Sequence, residues 1–360
     1  IMALYRNDDC YFIDHHDIIK NTYTNVSTNE GTISYSLLPS LFSIITDKKH
    51  IANRKRSRDA DNFHDEVIIV QSMYDKLLKD LPSSIKDMIG KYKLLGTSEL
   101  RDQARQLFEG TIFNLMGVNG GNSSNIPMKC KIQDNYFLVP GRSRFYCGCV
   151  KEQCAKLSGS QFDIVIADPP WWNKYIRRLK SANDKLSYTM MYNEDIASIP
   201  VQNLFANNCL IAVWCTNSRS NIQAVKTLIF PKWGVEYITT WYWLKVTVDL
   251  QPIGPFGSGC KKQPYERLIL GRVGEIENVP DSKLIVSVPS ALHSHKPPLL
   301  DILSQYVKVE SPQCLELFAR YLLPNTTSVG YEPLKWQHTS LYDFYHNSSS
   351  GFENSFWAFP

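Results

Sequence analysis

The amino-acid sequence predicts an α/β protein built on a doubly wound sheet, preceded by a mainly helical region. Beyond Tyr136, short β-rich apolar runs recur, separated by helical or loop segments. The runs are continuous rather than alternating, as strands covered on both faces must be. Ahead of them, apolar residues recur at helical spacing. At 360 residues, two domains are expected: a largely helical accessory domain over 1–135, an α/β domain over 136–345, and a tail over 346–360.

Taken in order, Glu66 to Leu81 carries Val70, Met73, Tyr74, Leu77, Leu78 and Leu81 at helical spacing, and Pro82 ends the pattern. Ser98 to Leu115 repeats it, with Leu100, Ala104, Leu107, Phe108 and Ile112 on one face, opposite Arg101, Asp102 and Arg105. Gly117 to Asn125, rich in Gly, Asn and Ser, reads as punctuation. The strands expected after it are Phe162 to Ala167, Cys209 to Trp214, Val235 to Val246, Tyr265 to Leu270, Leu284 to Val288 and Cys314 to Phe318. Ser218 to Phe230 and Pro297 to Val307 have helical length and patterning between them. In such an alternation, ligands sit beyond the carboxyl ends of the strands.

Hydrophobic residues at 43% and charged residues at 21% exclude collagen-like, coiled-coil and disordered classes. A net charge of +4 is too mild to mark a nucleic-acid partner, so that reading needs local clusters. Nine cysteines, odd in number and irregularly spaced, fit reduced thiols. Cys147, Cys149 and Cys154, with Cys130 nearby, match no common zinc spacing, so buried thiols and no metal are expected. No run approaches about 18 apolar residues and no signal-peptide order opens the chain, so a soluble intracellular protein without membrane contact is expected.

The run Phe162 to Ala167 ends in Asp168-Pro169-Pro170-Trp171. Adenine's exocyclic amine is a poor nucleophile because its lone pair is delocalised into the ring. A catalyst must therefore accept hydrogen bonds from its N–H groups. Asp168 can accept one and the Pro169 carbonyl the other, while the proline pair fixes the turn without competing donors. Trp171 offers a flat surface on which the base could stack. A purely structural turn is the alternative.

This stretch resembles the DPPW motif of the MTA family of adenine methyltransferases, and the similarity runs from about Arg144 to Phe344. Further matches follow in family order: Tyr188-Thr189-Met190, Trp243-Leu244-Lys245, Lys262-Gln263-Pro264-Tyr265-Glu266, His293-Ser294-His295-Lys296-Pro297-Pro298 and Glu316-Leu317-Phe318-Ala319-Arg320. The Pro-Tyr-Glu and His-Ser-His-Lys-Pro-Pro stretches are most similar to the methyltransferase-like four branch. The resemblance implies a Rossmann-like S-adenosylmethionine-dependent domain with permuted motif order. It also implies roles. Asp168, Pro169, Pro170 and Trp171 would be catalytic. Asp168, Lys296, Arg320, Glu332, Tyr331 and Val150 would meet the cofactor, with Lys296 on its carboxylate and Glu332 on its ribose hydroxyls. Tyr188, Trp243, Asn173, Lys174, Lys262, Tyr265 and Glu266 would meet the substrate.

The chain also departs from the pattern. Cys149 or Val150 stands where relatives carry an Asp near the cofactor's amine, and Gly330-Tyr331-Glu332 replaces Gly-Asn-Glu. No G-x-G-x-x-G occurs, and Gly254 to Gly259 reads as a flexible substrate loop. Lys174, Arg177, Arg178, Lys180 and Lys185, with Tyr175 among them, form a basic loop suited to a phosphate backbone, and Lys261 and Lys262 add a second spot. Lys48, Lys49, Arg54, Lys55, Arg56 and Arg58 read as a nuclear-localisation signal or a nucleic-acid-contacting arm.

The expected function is N6-methylation of adenine in RNA, at an internal 2′-O-methyladenosine of a spliceosomal small nuclear RNA, by a monomer without an obligate partner. The nucleus is the expected location, with cytoplasm or mitochondrion as alternatives. DNA methylation and a non-catalytic RNA-binding scaffold are the competing readings. A protein-amide methyltransferase would favour Asn and Tyr where Asp168 and Trp171 stand.

Overall fold

A computed structural model describes residues 4–29, 31–45, 64–172, 190–256 and 263–345. The N-terminal part holds β1 (Tyr5–Arg6), β2 (Cys10–Phe12), α1 (His15–Thr22), β3 (Val26–Thr28), β4 (Gly31–Leu37) and helices α2 (His64–Asp80), α3 (Ser83–Gly90) and α4 (Thr97–Gly110). There follow β5 (Asn119–Asn122), β6 (Met128–Ile132), β7 (Asn135–Val139), β8 (Ser143–Cys147), α5 (Val150–Lys156) and β9 (Phe162–Ala167). The remaining strands are β10 (Phe205–Cys215), β11 (Glu236–Lys245), β12 (Tyr265–Val273), β13 (Leu284–Ser287), β14 (Cys314–Leu317), β15 (Thr326–Gly330) and β16 (Tyr342–Tyr345).

An eleven-stranded sheet runs in the order β1-β2-β13-β11-β12-β10-β9-β14-β15-β8-β5. From β8 through β10 its strands are parallel. β12 runs antiparallel to both of its neighbours, β10 and β11. The continuous apolar runs behave as expected of strands covered twice. On β9, Val165 and Ala167 enter one core cluster and Ile164 and Ile166 another; on β10, Ile211 and Val213 part from Leu210, Ala212 and Trp214 in the same way. The chain leaves β9 for β10 on one side and β14 for β15 on the other, so the sheet reverses its winding between β9 and β14. Such a switch point opens a crevice at the carboxyl ends of the two strands.

All six expected strands are present. Helix α2 buries Val67, Val70, Tyr74, Leu77 and, just beyond its end, Leu81. Pro82 ends α2 and also occupies the N-cap of α3, a helix the periodicity did not predict. Helix α4 buries only Leu100, and Ile112 lies beyond its end, 44% exposed. Ser218 to Phe230 forms a helix over Arg219–Ala224 that continues through a π-helical turn, Val225–Ile229, into Phe230–Trp233. Pro297 to Val307 yields only Leu300–Leu303 and a 3-10 turn, Ser304–Tyr306.

The expected boundary after residue 135 falls within the β6–β7 hairpin, at the first residue of β7, and that hairpin joins β16, β4 and β3 in a second, five-stranded sheet. The described residues before 135 supply the α-helices α1 to α4, but also β1, β2 and β5 of the large sheet. The presumed punctuation at Gly117 to Asn125 contains β5, an edge strand antiparallel to β8. A Cβ on Gly121 would lie 2.4 Å from the Ser143 carbonyl, so glycine permits that pairing. Among the described residues, no helix is long and apolar enough to cross a membrane.

Candidate functional site

Asp168 is the first residue after β9, and its N–H donates to the Leu317 carbonyl at the end of β14, 3.2 Å away. This bond sets the carboxyl at the switch point. The turn that follows is tied from both sides. The Trp171 N–H donates to the Pro169 carbonyl (2.8 Å), the Met191 N–H to the Pro170 carbonyl (2.9 Å), and the Trp172 N–H to the Met191 carbonyl (3.1 Å). The Pro169 carbonyl thus keeps one lone pair for a substrate amine.

Trp171 does not present a stacking face. It is 7% exposed, packs among the core residues below β9, and donates its indole N–H to the Trp214 carbonyl (3.0 Å). Its ring anchors the turn. Trp243, expected beside the base, is 2% exposed and donates to the Ser287 hydroxyl (2.8 Å), so its apolar strand carries it into the core. Tyr265 is likewise fully buried.

The acid and cations of the motifs converge. Lys296 Nζ lies 3.5 Å from Asp168 Oδ1 and 2.5 Å from Glu266 Oε2, and Lys245 pairs with the other Glu266 oxygen. The Lys296 ammonium also sits over the Trp214 and Trp243 rings, at 5.4 and 5.8 Å. Trp243 therefore supports the lysine rather than a base, and Glu266 is the lysine's counter-ion. The backbone is fixed too, because the Tyr321 hydroxyl donates to the Lys296 carbonyl (2.6 Å). Two residues upstream, Ser294 adopts φ +54°, a left-handed conformation sparsely populated outside glycine.

Burial pushes the Asp168 carboxyl above the usual carboxylate range, against the pull of Lys296 and Arg320. Burial also pushes Glu266 up, but Lys296 and Lys245 outweigh it and hold Glu266 well below that range. For Lys296, burial opposes the charge, yet Asp168 and Glu266 prevail and raise it. The charges of Asp168 and Glu266 thus favour the ammonium as a cation, and burial heightens the basicity of Asp168.

Arg320 and Glu332 follow β14 and β15. Arg320 Nε lies 4.0 Å from Glu332 Oε2, and its Nη1 is 3.1 Å from His293 Nδ1. Burial, with Arg320 and Lys296 nearby, pushes His293 down to about 4, so the neutral ring accepts at Nδ1. Lys335, which the sequence reading missed, is 3% exposed and binds Glu332 Oε1 at 2.8 Å. Its spacing three residues after Glu332 was the available signal. Gly330 lets the strand ends close, since a Cβ there would lie 3.1 Å from the Ala319 carbonyl. Tyr331 is 40% exposed beside it. The side chain of Val150 is packed in the core at 2% exposure and is withdrawn from the crevice; its site at the end of β8 is joined to β15 by the Gly148 N–H donating to the Gly330 carbonyl (2.7 Å).

Tyr188, Asn173, Lys174 and Lys262 lie outside the described residues, as do the basic runs around Lys174–Lys185 and Lys48–Arg58 and the end of the Gly254 to Gly259 loop. Cys147 and Cys154 are buried thiols, each pushed up to about 12 by desolvation. No group of three or more His, Cys, Asp or Glu among the described residues could hold a metal. A cleft of about 910 Å³ lies at the opposite, amino ends of the strands near Arg142, Gln313 and Asn325, and shares no residue with the Asp168 site.

The MT-A70 family model matches residues 162–332, a span that opens on β9 and closes on Glu332. The chain carries an MT-A70 domain. Among its relatives, the mouse N(6)-adenine-specific methyltransferase METTL4 is 39% identical over 234 residues, covering 61% of this chain and 48% of the relative. The Caenorhabditis elegans DNA N6-methyl methyltransferase is 39% identical over 212 residues, 57% of this chain and 55% of that one. The Cryphonectria parasitica N6-methyladenosine RNA methyltransferase MTA1 is 34% identical over 207 residues, 56% and 60% of the two chains. The chain spans about half the length of the first two curated relatives it matches.

The donor set of the MT-A70 domain fits S-adenosylmethionine. Lys296 and Arg320 would meet its carboxylate and Glu332 its ribose hydroxyls, and Tyr331 is an exposed ring beside Glu332. When bound, the cofactor supplies an electrophilic methyl group on a sulfonium.

Proposed function

We propose that this chain methylates the exocyclic N6 of adenine in single-stranded RNA, with an internal 2′-O-methyladenosine of a spliceosomal small nuclear RNA as the favoured target. The observation that carries the reading is Asp168 at the switch point, 3.5 Å from a lysine that is itself neutralised by Glu266. The Asp168 carboxylate accepts one N6–H and the free lone pair of Pro169 the other, which localises the nitrogen lone pair for attack. N6 would take the methyl group as its bond to the sulfonium sulfur breaks, leaving a neutral thioether, and the raised basicity of Asp168 suits it to receive the proton that N6 then sheds. The names of the mouse and fungal relatives support adenine as the base.

RNA is favoured because a pocket that must hold an exposed adenine amine meets unpaired bases in looped RNA, whereas a duplex must first flip the base at a cost of a few kcal/mol. DNA is the second reading, motivated by the printed activity of the worm relative. The test incubates the purified chain and labelled cofactor with matched RNA and DNA oligonucleotides, each with and without a 2′-O-methyl on the target adenosine. Preference for 2′-O-methylated RNA is expected, and faster methylation of unmodified duplex DNA overturns the RNA assignment. Asp168→Asn, which presents donors to a donor, is expected to lower single-turnover methylation by ~100-fold or more while the protein stays folded. A near-normal rate in that variant removes Asp168 from the chemistry. Action as a monomer in the nucleus belongs to the same proposal.

A further inference from the structure

Trp171 and Trp172 are adjacent in sequence and opposite in fate. Trp171 is held in the core, whereas Trp172 is only half-buried and stacks on Tyr192, with ring centroids 5.9 Å apart and planes 19° from parallel. Tyr192 is 56% exposed. Both rings stand on braced backbone. The Trp172 N–H donates to the Met191 carbonyl, the Met191 N–H donates to the Pro170 carbonyl of the turn, and the Tyr192 N–H donates to Asp195 Oδ2 (3.4 Å), capping the short helix Asn193–Ala197. Two large aromatic rings are thus held stacked and facing water, Trp172 four residues after Asp168 in sequence and Tyr192 next to Met191, which is hydrogen-bonded to the same turn. Leaving such surface hydrated is unfavourable, so a persistent exposed stack points to a ligand with a flat face.

We propose that Trp172 and Tyr192 form a stacking platform for an unpaired base next to the target adenine in the same nucleic-acid strand. The inference rests on the adenine-methylation reading and extends it to a neighbouring subsite. Drawing the target base into the crevice strips its neighbour of a stacking partner, and an aromatic surface beside the crevice replaces that partner. Stacking tolerates any base, so the platform contributes affinity and register rather than a strict sequence requirement.

The test uses the full chain with single-stranded RNA and, in a parallel arm, single-stranded DNA. Each strand carries the fluorescent base 2-aminopurine on either side of the target adenine. Stacking in the wild type is expected to quench one of the two positions, and Trp172→Ala and Tyr192→Ala to relieve that quench. Both variants are expected to raise Kd and KM for the strand about tenfold, with the loss falling on KM rather than kcat, and Trp172→Phe and Tyr192→Phe to restore most of it. An abasic site at the quenched position is expected to cost the wild type the same factor and the Ala variants little more, since the two changes remove one contact. Unchanged quenching and Kd in the Ala variants overturn the platform. A fall in kcat and cofactor affinity with Kd for the strand unaltered also overturns it, showing the rings to be struts for the turn. Binding is read without turnover, so a chain that binds and quenches but transfers no methyl group contradicts the methylation reading and leaves the platform standing.

Discussion

Glu316 stands on β14 with its neighbours Leu315 and Leu317 turned into one core and its own side chain turned to the opposite face, in register with Ile166 on β9 and Ser328 on β15. It is 7% exposed, and its Oε2 has no hydrogen-bond partner among the described residues. Burial, reinforced by the charge of Asp168, pushes this carboxyl up from 4.5 to about 8. The folded protein therefore keeps the Glu316 proton between those two values, where the unfolded chain has released it. Stability falls as pH rises through that window and levels off above it. At ~1.4 kcal/mol per pH unit the full span is about 5 kcal/mol, and water admitted beside the ionised carboxyl trims this to about 2 to 4 kcal/mol. Glu316→Gln keeps the shape and removes the titration. Denaturant unfolding at pH 4.5, 7 and 9 is expected to show near-equal stability at the lowest pH and a growing advantage for the variant above it. A gap that stays constant with pH, or a variant less stable than wild type at pH 9, refutes the argument.

Lys296→Ala is expected to weaken S-adenosylmethionine binding, measured by calorimetry. Since Lys296 holds the Asp168 carboxyl down, its loss is also expected to move the acid limb of the residual pH–rate profile to higher pH. Unchanged affinity together with an unmoved limb rejects both roles. Arg267 is 1% exposed and is bound through two nitrogens by Glu66 and, at 2.6 Å, by Asn217 Oδ1. Glu66→Ala removes the carboxylate that two nitrogens of this buried guanidinium bind, leaving Asn217 as a neutral partner, and is expected to cost about 3 to 5 kcal/mol in thermal or denaturant unfolding, against which a loss under 1 kcal/mol counts as refutation. Replacing the Lys and Arg residues of the Lys48 to Arg58 run by Ala is expected to relocate the protein out of the nucleus without altering purified activity. An unchanged nuclear pool in cell imaging rejects the signal, and a fall in purified activity makes the run a substrate arm.

The strands of the MT-A70 domain were legible because a run such as Cys209 to Trp214 is apolar at every position, and only burial on both faces explains that. Asp168 was legible because an acid, two prolines and an aromatic at a strand end serve a definite chemistry. What the sequence could not show was direction and partnership. Trp171, Trp172 and Trp243 are equally aromatic on the page, yet one anchors a turn, one faces water and one backs a lysine, according to backbone that is fixed elsewhere in the chain. The Asp168–Lys296–Glu266–Lys245 network joins four separate segments, and no periodicity reveals such pairings. β2 is three residues long and becomes a strand by pairing with β1 on one side and β13 on the other.

That last pairing bears on the division of the chain. β2 lies parallel to β13 and extends the large sheet beyond β11, the strand that delivers Lys245. α1 follows β2 directly and sets His15 against His295, with ring centroids 4.5 Å apart, while His295 in turn packs on Tyr321 at 4.5 Å. Tyr321 holds the Lys296 carbonyl, so an unbroken line of contacts runs from the N-terminal segment to the cation beside Asp168. Burial pushes His295 down to about 3, and it drives His15 well below the ordinary histidine value, so both rings stay neutral and pack as flat spacers at neutral pH. α2 adds a second tie through Glu66 and Arg267 on β12, one residue from Glu266. Residues before 135 therefore brace the back of the Lys296–Glu266 network. On this argument, a fragment beginning at residue 136 loses the His15 and Glu66 supports together, and the first property to fail is the placement of Lys296 against Asp168.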